Sequence, residues 1–582
     1  MTHPPLPPLR LTVGVTGHRP PLLDAEVQAR VAPRFAALLA QIAAATRALH
    51  AEERGFFAND APDLRLLSPL AEGADRLSAE VALAAGYTLD VVLPGPAQRF
   101  RDDADPAMTG LIAQADAVME LPEEPLGDAV SFFLSGRATV AHCDLLIAIW
   151  DGERARGRGG TAEIVELALR RGRPVLHLPL EADADPILIW PGHANLVAPT
   201  LAEDAPRQPA DPARLARLVR ELLAPPADPR ERECLALFLA EPQRRFRWRA
   251  EYPLLLAALG IRRFSLRDLA EPDYAAAAAE EFATFRATGG SVDLLANAWG
   301  WSDGLARHFG QTYRSGHILN FVLAATAVLL AVAGLIWPQA KFWFVLAEVA
   351  AVLGFVINTR VGTNHAWHRR WLDYRQLAER LRPMRSLKLL GVATPPLFGE
   401  GEAHRWFAWY AAAVWRSVGL PRGALAAPQT LSALVSAAEL EPQLRYHRKT
   451  TGDMHRLDHR LHLFGLILFL LSIASCLGFL AAYLLAHDWT TSHVGLFVAL
   501  SAGLPSVGSA VFGIRMQGDL VGASERSAAT AQSLAALHET IDDPALRLSR
   551  LADIGEAVAA AMLADLARWQ VAFQQRRLVL PG

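Results

Sequence analysis

Residues 318–337 carry no charged side chain, and a helix of that length rises about 30 Å, the thickness of a bilayer's hydrocarbon core. Three more stretches are equally apolar: 342–358, whose only charge is Glu348, then 463–486 and 494–514. They fall into two close pairs, so the sequence predicts two transmembrane hairpins. Trp337 and Trp343 flank the first turn, as aromatic residues do at a membrane face. Lys341 is the one basic residue in the short turns, whereas Arg314, Arg360, Arg369, Arg370, Arg448, Lys449 and Arg515 lie on the opposite flanks. By the positive-inside rule both termini are expected in the cytoplasm, in a multi-pass protein of the cell inner membrane with the lipid bilayer as a partner. Glu348, inside the second span, costs about 2.5–3.5 kcal/mol on insertion scales. Two readings stay open for it: a membrane pathway residue, or a carboxyl bonded to Asn320, Thr326 or a serine of a neighbouring span.

At 582 residues the chain is too long for one core, and the part before the spans has a different pattern. Apolar runs at 9–16, 64–67, 89–93, 145–150 and 174–178 alternate with segments of helical period. That alternation predicts a parallel sheet covered by helices, with ligands bound beyond the carboxyl ends of the strands. Three polar loops leave those ends. The first holds Gly17, His18 and Arg19; the second Glu72, Gly73, Asp75 and Arg76. The third runs from Asp151 through Gly157, Gly159 and Gly160 to Thr161, where a helix opens. Glycines let a backbone approach a phosphate, and the free N–H groups of a helix's first turn point at it. Arg19 suits a bidentate grip on phosphate; Glu72, Asp75 and Asp151 suit ribose hydroxyls, although Asp75 and Asp151 equally suit capping.

The stretch EGADRLSAEVALAAGYTLDVVLP resembles the strand-loop-helix-strand of DNA-processing protein A, and GRATVAHCDLLIAIWDGERARGRGGTAE resembles the second half of the Lonely-Guy phosphoribohydrolases. Both belong to the SLOG superfamily, and the resemblance implies a Rossmann-like domain that binds a nucleotide-derived ligand. It also implies catalytic roles for Arg137 and Glu163. The sequence departs from the enzymes in two places: Ala138 stands where they carry a lysine, and Glu163 follows Thr161 by two residues rather than three. A one-residue slip at a helix start turns a side chain by about 100°, which bears on catalysis and leaves phosphate binding intact. Around the first hairpin, YRSGHILNF and HRRWLDYRQLAERLR resemble SLATT domains, two-span modules that accompany SLOG domains in bacterial conflict systems.

The expected fold class is therefore an α/β Rossmann-like cytosolic domain plus an all-α membrane domain with four transmembrane helices. The expected divisions are a ligand-binding domain at 1–180, a linker at 181–230 and a helical connector at 231–313. The first hairpin with its cytosolic helices then occupies 314–440, and the second with a C-terminal helix 441–582. A net charge of −3 disfavours nucleic acid as a partner. Three well-separated cysteines argue against a metal site or disulfide framework, and no cofactor is expected beyond the nucleotide-derived ligand. The run Arg244–Arg249 reads as a solvated helix face with its aromatic residues buried. The functional expectation is a homo-oligomeric sensor and effector: ligand binding acts on the membrane part to form a pore or channel, or to disrupt the bilayer, in bacterial defence or stress signalling. The alternative is a membrane-anchored nucleosidase or phosphoribohydrolase acting on nucleotides.

Overall fold

The computed structural model describes residues 2–100, 105–154, 159–192, 202–286, 292–395 and 404–574. A nine-stranded sheet is built from β1 (Arg10–Gly17), β2 (Asp63–Ser68), β3 (Thr88–Leu93), β4 (Ala117–Glu120), β5 (Leu145–Ile149), β6 (Val175–Leu178), β7 (Ile187–Ile189), β8 (Arg207–Pro209) and β9 (Gly423–Ala424). Their order is β8-β7-β6-β5-β1-β2-β3-β4-β9. Strands β1 to β6 and β9 run parallel, while β7 and β8 are antiparallel additions. All five residues of β5 are fully buried, as expected of a central parallel strand covered on both faces. Strand order reverses between β1, which pairs with β2 on one side and β5 on the other, so the switch-point crevice opens at the ends of β1 and β5.

Helices α1 (Ala25–Glu52), α2 (Ala74–Ala84), α3 (Pro106–Gln114), α4 (Asp128–His142) and α5 (Thr161–Arg170) connect these strands. Asp24 caps α1 by accepting from the Val27 amide at 2.9 Å. The sheet continues past residue 180, because β7 and β8 lie within the Ala/Pro/Asp-rich stretch. Helices α6 (Pro212–Leu223), α7 (Pro229–Leu239), α8 (Glu251–Ala258), α9 (Tyr274–Glu281) and α10 (Ala283–Arg286) follow, and α6 packs on α1.

Among the described residues, four helices are long and apolar enough to cross a membrane. Helix α11 (Asp293–Ile336) turns back into α12 (Lys341–Asn364), and helices α13 (Trp367–Leu381), α14 (Met384–Leu390), α15 (Trp406–Val418) and α16 (Pro428–Val435) follow. Helix α17 (Glu441–Leu485) leads through the short α18 (His487–Ser492) into α19 (Val494–Gly518), then α20 (Leu520–Ile541) and α21 (Leu548–Gln574). The first hairpin meets the second where α11 packs on α19. Apolar side chains face outward along these helices, with Phe342 72% and Phe469 61% exposed, the pattern of a lipid-facing surface.

The α/β and helical parts share one core. On α15, Trp406 and Tyr410 are fully buried; the Tyr410 hydroxyl donates to the Pro5 carbonyl at 2.6 Å, and Trp409 donates to Leu223. The run Arg244–Arg249 corrects its sequence reading. Arg247 binds Glu271 at 2.6 Å and Arg249 binds Asn358 at 2.8 Å, while Trp248 stands 87% exposed. Arg244, Arg247 and Arg249 find acids or an amide, and the rings of Phe246 and Trp248 are left outside.

Candidate functional site

The crevice at the ends of β1 and β5 is a cleft of about 570 Å³, walled by the loop after β1, the start of α5 and one face of α4. Gly17 closes β1 where a Cβ would stand 2.4 Å from the Ala74 side chain and 2.6 Å from the Ile149 carbonyl, so only glycine allows the strands and α2 to approach this closely. The turn is pinned on both sides. The His18 amide donates to the Ile149 carbonyl at 3.0 Å, and the His18 carbonyl accepts from the Ala74 amide at 3.1 Å. Gly73, with φ at +96°, brings its Cα against that same carbonyl.

This framework sets four groups on the cleft. The His18 imidazole lies 3.0 Å from the Asp151 carboxylate, which ties the ends of β1 and β5 together. The Arg19 guanidinium sits 4.2 Å over the Phe132 ring, and no acceptor among the described residues engages its N–H groups. Asp75 is 7% exposed, and its Oδ1 has no hydrogen-bond partner. Burial pushes its carboxyl up to about 7, against the downward pull of Arg19, the Ala71 amide and Arg76. Finally, Gly159, Gly160 and Thr161 bring the uncapped N-terminus of α5 to the wall, with its first-turn N–H groups free for an anion.

Of the residues singled out in the sequence, the cleft brings together Gly17, His18, Arg19, Asp75, Asp151, Gly159, Gly160 and Thr161. Others lie off it. Glu72 is exposed, and Arg76 turns toward α3, donating to the Leu70 carbonyl and pairing with Asp105 at 2.7 Å. Glu163 reaches back to accept from the Gly159 amide at 2.6 Å and so closes its own loop. Arg137 points from α4 into the helical part, where it meets the Val392 carbonyl at 3.0 Å, Asp553 at 2.8 Å and Glu556 at 3.2 Å. Gly157 lies outside the described residues.

Sequence reasoning passed over Asp128, Phe132 and Ser135, which also line the cleft. Their spacing, four and then three, marks one helical face, and that signal is legible in the sequence before β5. In the second span, Glu348 is half-buried, and two of the partners foreseen for it are engaged elsewhere: Asn320 with Thr359 and Asn358, Thr326 with the Val322 carbonyl. No cluster of metal-ligating side chains occurs among the described residues.

A family model described as "Protein of unknown function (DUF4231)" matches residues 297–393, which span most of α11, all of α12 and α13, and α14. No curated protein matches the chain.

Proposed function

We propose that this chain is a membrane-embedded sensor and effector. Its α/β cleft binds a nucleotide-derived anion, and the bound state repacks the four-helix membrane part into a pore, a channel or a bilayer-disrupting form. In this reading the cleft is the SLOG-like ligand site and the first hairpin the SLATT-like effector, both termini face the cytoplasm, and the active form is a homo-oligomer. Bacterial defence or stress signalling is the setting that the two resemblances suggest.

The observation that carries the reading is the double engagement of α4. Asp128, Phe132 and Ser135 face the cleft, while Arg137 on the same helix grips Val392, Asp553 and Glu556 of the helical part. A ligand drives a conformational change only through differential affinity for two states, and α4 is an element both sites can bias. A free arginine, an uncapped helix start and a carboxyl near neutrality suit a phosphate with an attached polar group.

The test is dye or ion leakage from liposomes holding the full chain, with a panel of nucleotides whose binding is measured in parallel. Leakage that follows occupancy of the cleft is the expected result; a nucleotide that binds and never alters leakage would falsify the effector role. Free base released from a nucleoside monophosphate, and abolished by Glu163→Gln, would move the protein to the hydrolase reading instead.

A further inference from the structure

A second cavity, of about 540 Å³, lies between α11 and α13 on one side and α17, α20 and α21 on the other, at the cytosolic end of the apolar spans. One end is apolar: Leu256, Ile318, Leu457, Leu461 and Ile514 belong to a single buried cluster that reaches the membrane helices. The other end is rich in cations. Most of them are neutralised, as Arg247 is by Glu271, Arg375 by Glu379 at 2.6 Å and Arg526 by Asp519 at 2.8 Å. Arg314 is different. Its guanidinium is held over Tyr252 at 5.2 Å and Trp371 at 5.1 Å, and no acid or carbonyl among the described residues accepts from it.

Arg314 precedes Ile318 by four residues, one helical turn, so the cation and the apolar end sit on one face of α11. Further polar atoms of the wall are buried without a hydrogen-bond partner, among them Nδ1 of His317 and of His447, Nη2 of Arg526 and Oδ1 of Asp565. Four acids line the cavity: Asp268, Glu379 and Asp453 are paired with Arg262, Arg375 and Arg456, and the charge of Asp565 acts on His447 and Arg375. Depth is fixed independently: Arg249 binds Asn358 near the cytosolic end of α12 and leaves the neighbouring Trp248 87% exposed, as an aromatic residue stands at a headgroup layer.

We propose that this cavity binds a phosphate ester through Arg314, with the headgroup of an anionic phospholipid as the occupant that also fills its apolar end. A stacked guanidinium keeps its planar fork free for two phosphate oxygens, and basic pockets between membrane helices on the cytosolic side select anionic lipids. Soluble phosphate offers the same oxyanion without acyl chains, and the experiment separates the two sources.

The full chain is delipidated in neutral detergent and titrated with short-chain phosphatidylglycerol, short-chain phosphatidylcholine or inorganic phosphate, with bound ligand counted by native mass spectrometry. Phosphatidylglycerol is expected to bind about tenfold tighter than phosphatidylcholine, and Arg314→Gln to remove that preference. Arg314→Lys keeps the cation over the rings without the fork; it guards against a folding defect and is expected to lose part of the preference. Arg448→Gln, at an exposed cation of α17 that lies off the cavity, is expected to change nothing. Inorganic phosphate that saturates wild type but not Arg314→Gln, with no gain from phosphatidylglycerol, would keep the site and make its occupant soluble. Equal binding of the two lipids without a phosphate effect, or a loss in Arg448→Gln matching that in Arg314→Gln, overturns the proposal.

Discussion

Glu556 on the C-terminal helix accepts from Arg137 at 3.2 Å, joining the helix that walls the cleft to the helical part of the molecule. The same carboxylate takes Arg171 at 2.7 Å and the Thr394 amide at 2.9 Å, so one acid gathers α4, α5 and the segment after α14. Glu556→Gln leaves Arg137 buried with a weaker partner, and a loss of about 1–3 kcal/mol is expected, read as a lower unfolding midpoint. If α4 is the coupling element, the variant also keeps its ligand affinity while losing most of the ligand-dependent leakage.

Asp75 predicts a pH signature. Its folded-state pKa, raised by burial to about 7, lies above the roughly 4 of an unfolded chain, so the folded protein holds the extra proton between those values. Stability of wild type relative to Asp75→Asn should therefore fall as pH rises from about 4 to 7 and level off above. A phosphate ligand should bind more weakly as pH passes through about 7, when the carboxylate charges, and Asp75→Asn should flatten that curve. Calorimetric titration across this range checks both.

Asn358 holds three partners at the end of the first hairpin remote from its turn: it accepts from Arg249 at 2.8 Å and donates to the Gly316 carbonyl at 2.9 Å and to Asn320 at 2.7 Å. Asn358→Leu strips all three from a buried position. It is expected to cost about 1–3 kcal/mol and to lower the unfolding midpoint in detergent.

Glu348 supplies a further prediction from the membrane part. Asn320 and Thr326, two of the partners expected for it, are engaged elsewhere. If the effector conducts ions past it, Glu348→Gln should reduce the preference for cations over anions in liposome flux without lowering the amount of inserted protein.

The sheet was legible because its central strands are buried on both faces and read as unbroken apolar runs, β5 above all. The spans were legible for the same reason at greater length. Strand β9 was not, since two residues, Gly423 and Ala424, carry no period, and their partner β4 lies some three hundred positions earlier. The cleft was half legible. Loops at strand ends announce themselves through glycine and charge, but which side of α4 faces them depends on packing. Arg137 shows the limit: the resemblance implied a catalytic role for it, and in the fold its guanidinium meets Glu556 and Val392.

Met119 of β4 pairs with Gly423, which lies between the two hairpins in the chain, and the Leu425 amide then donates to the Glu120 carbonyl at 2.9 Å. During synthesis the first hairpin thus leaves the ribosome before the last strand of the sheet exists. Until then the margin of β4 is an open template for other chains, and fragments cut ahead of residue 423 would keep it so. Synthesis of the first hairpin therefore precedes completion of the sheet.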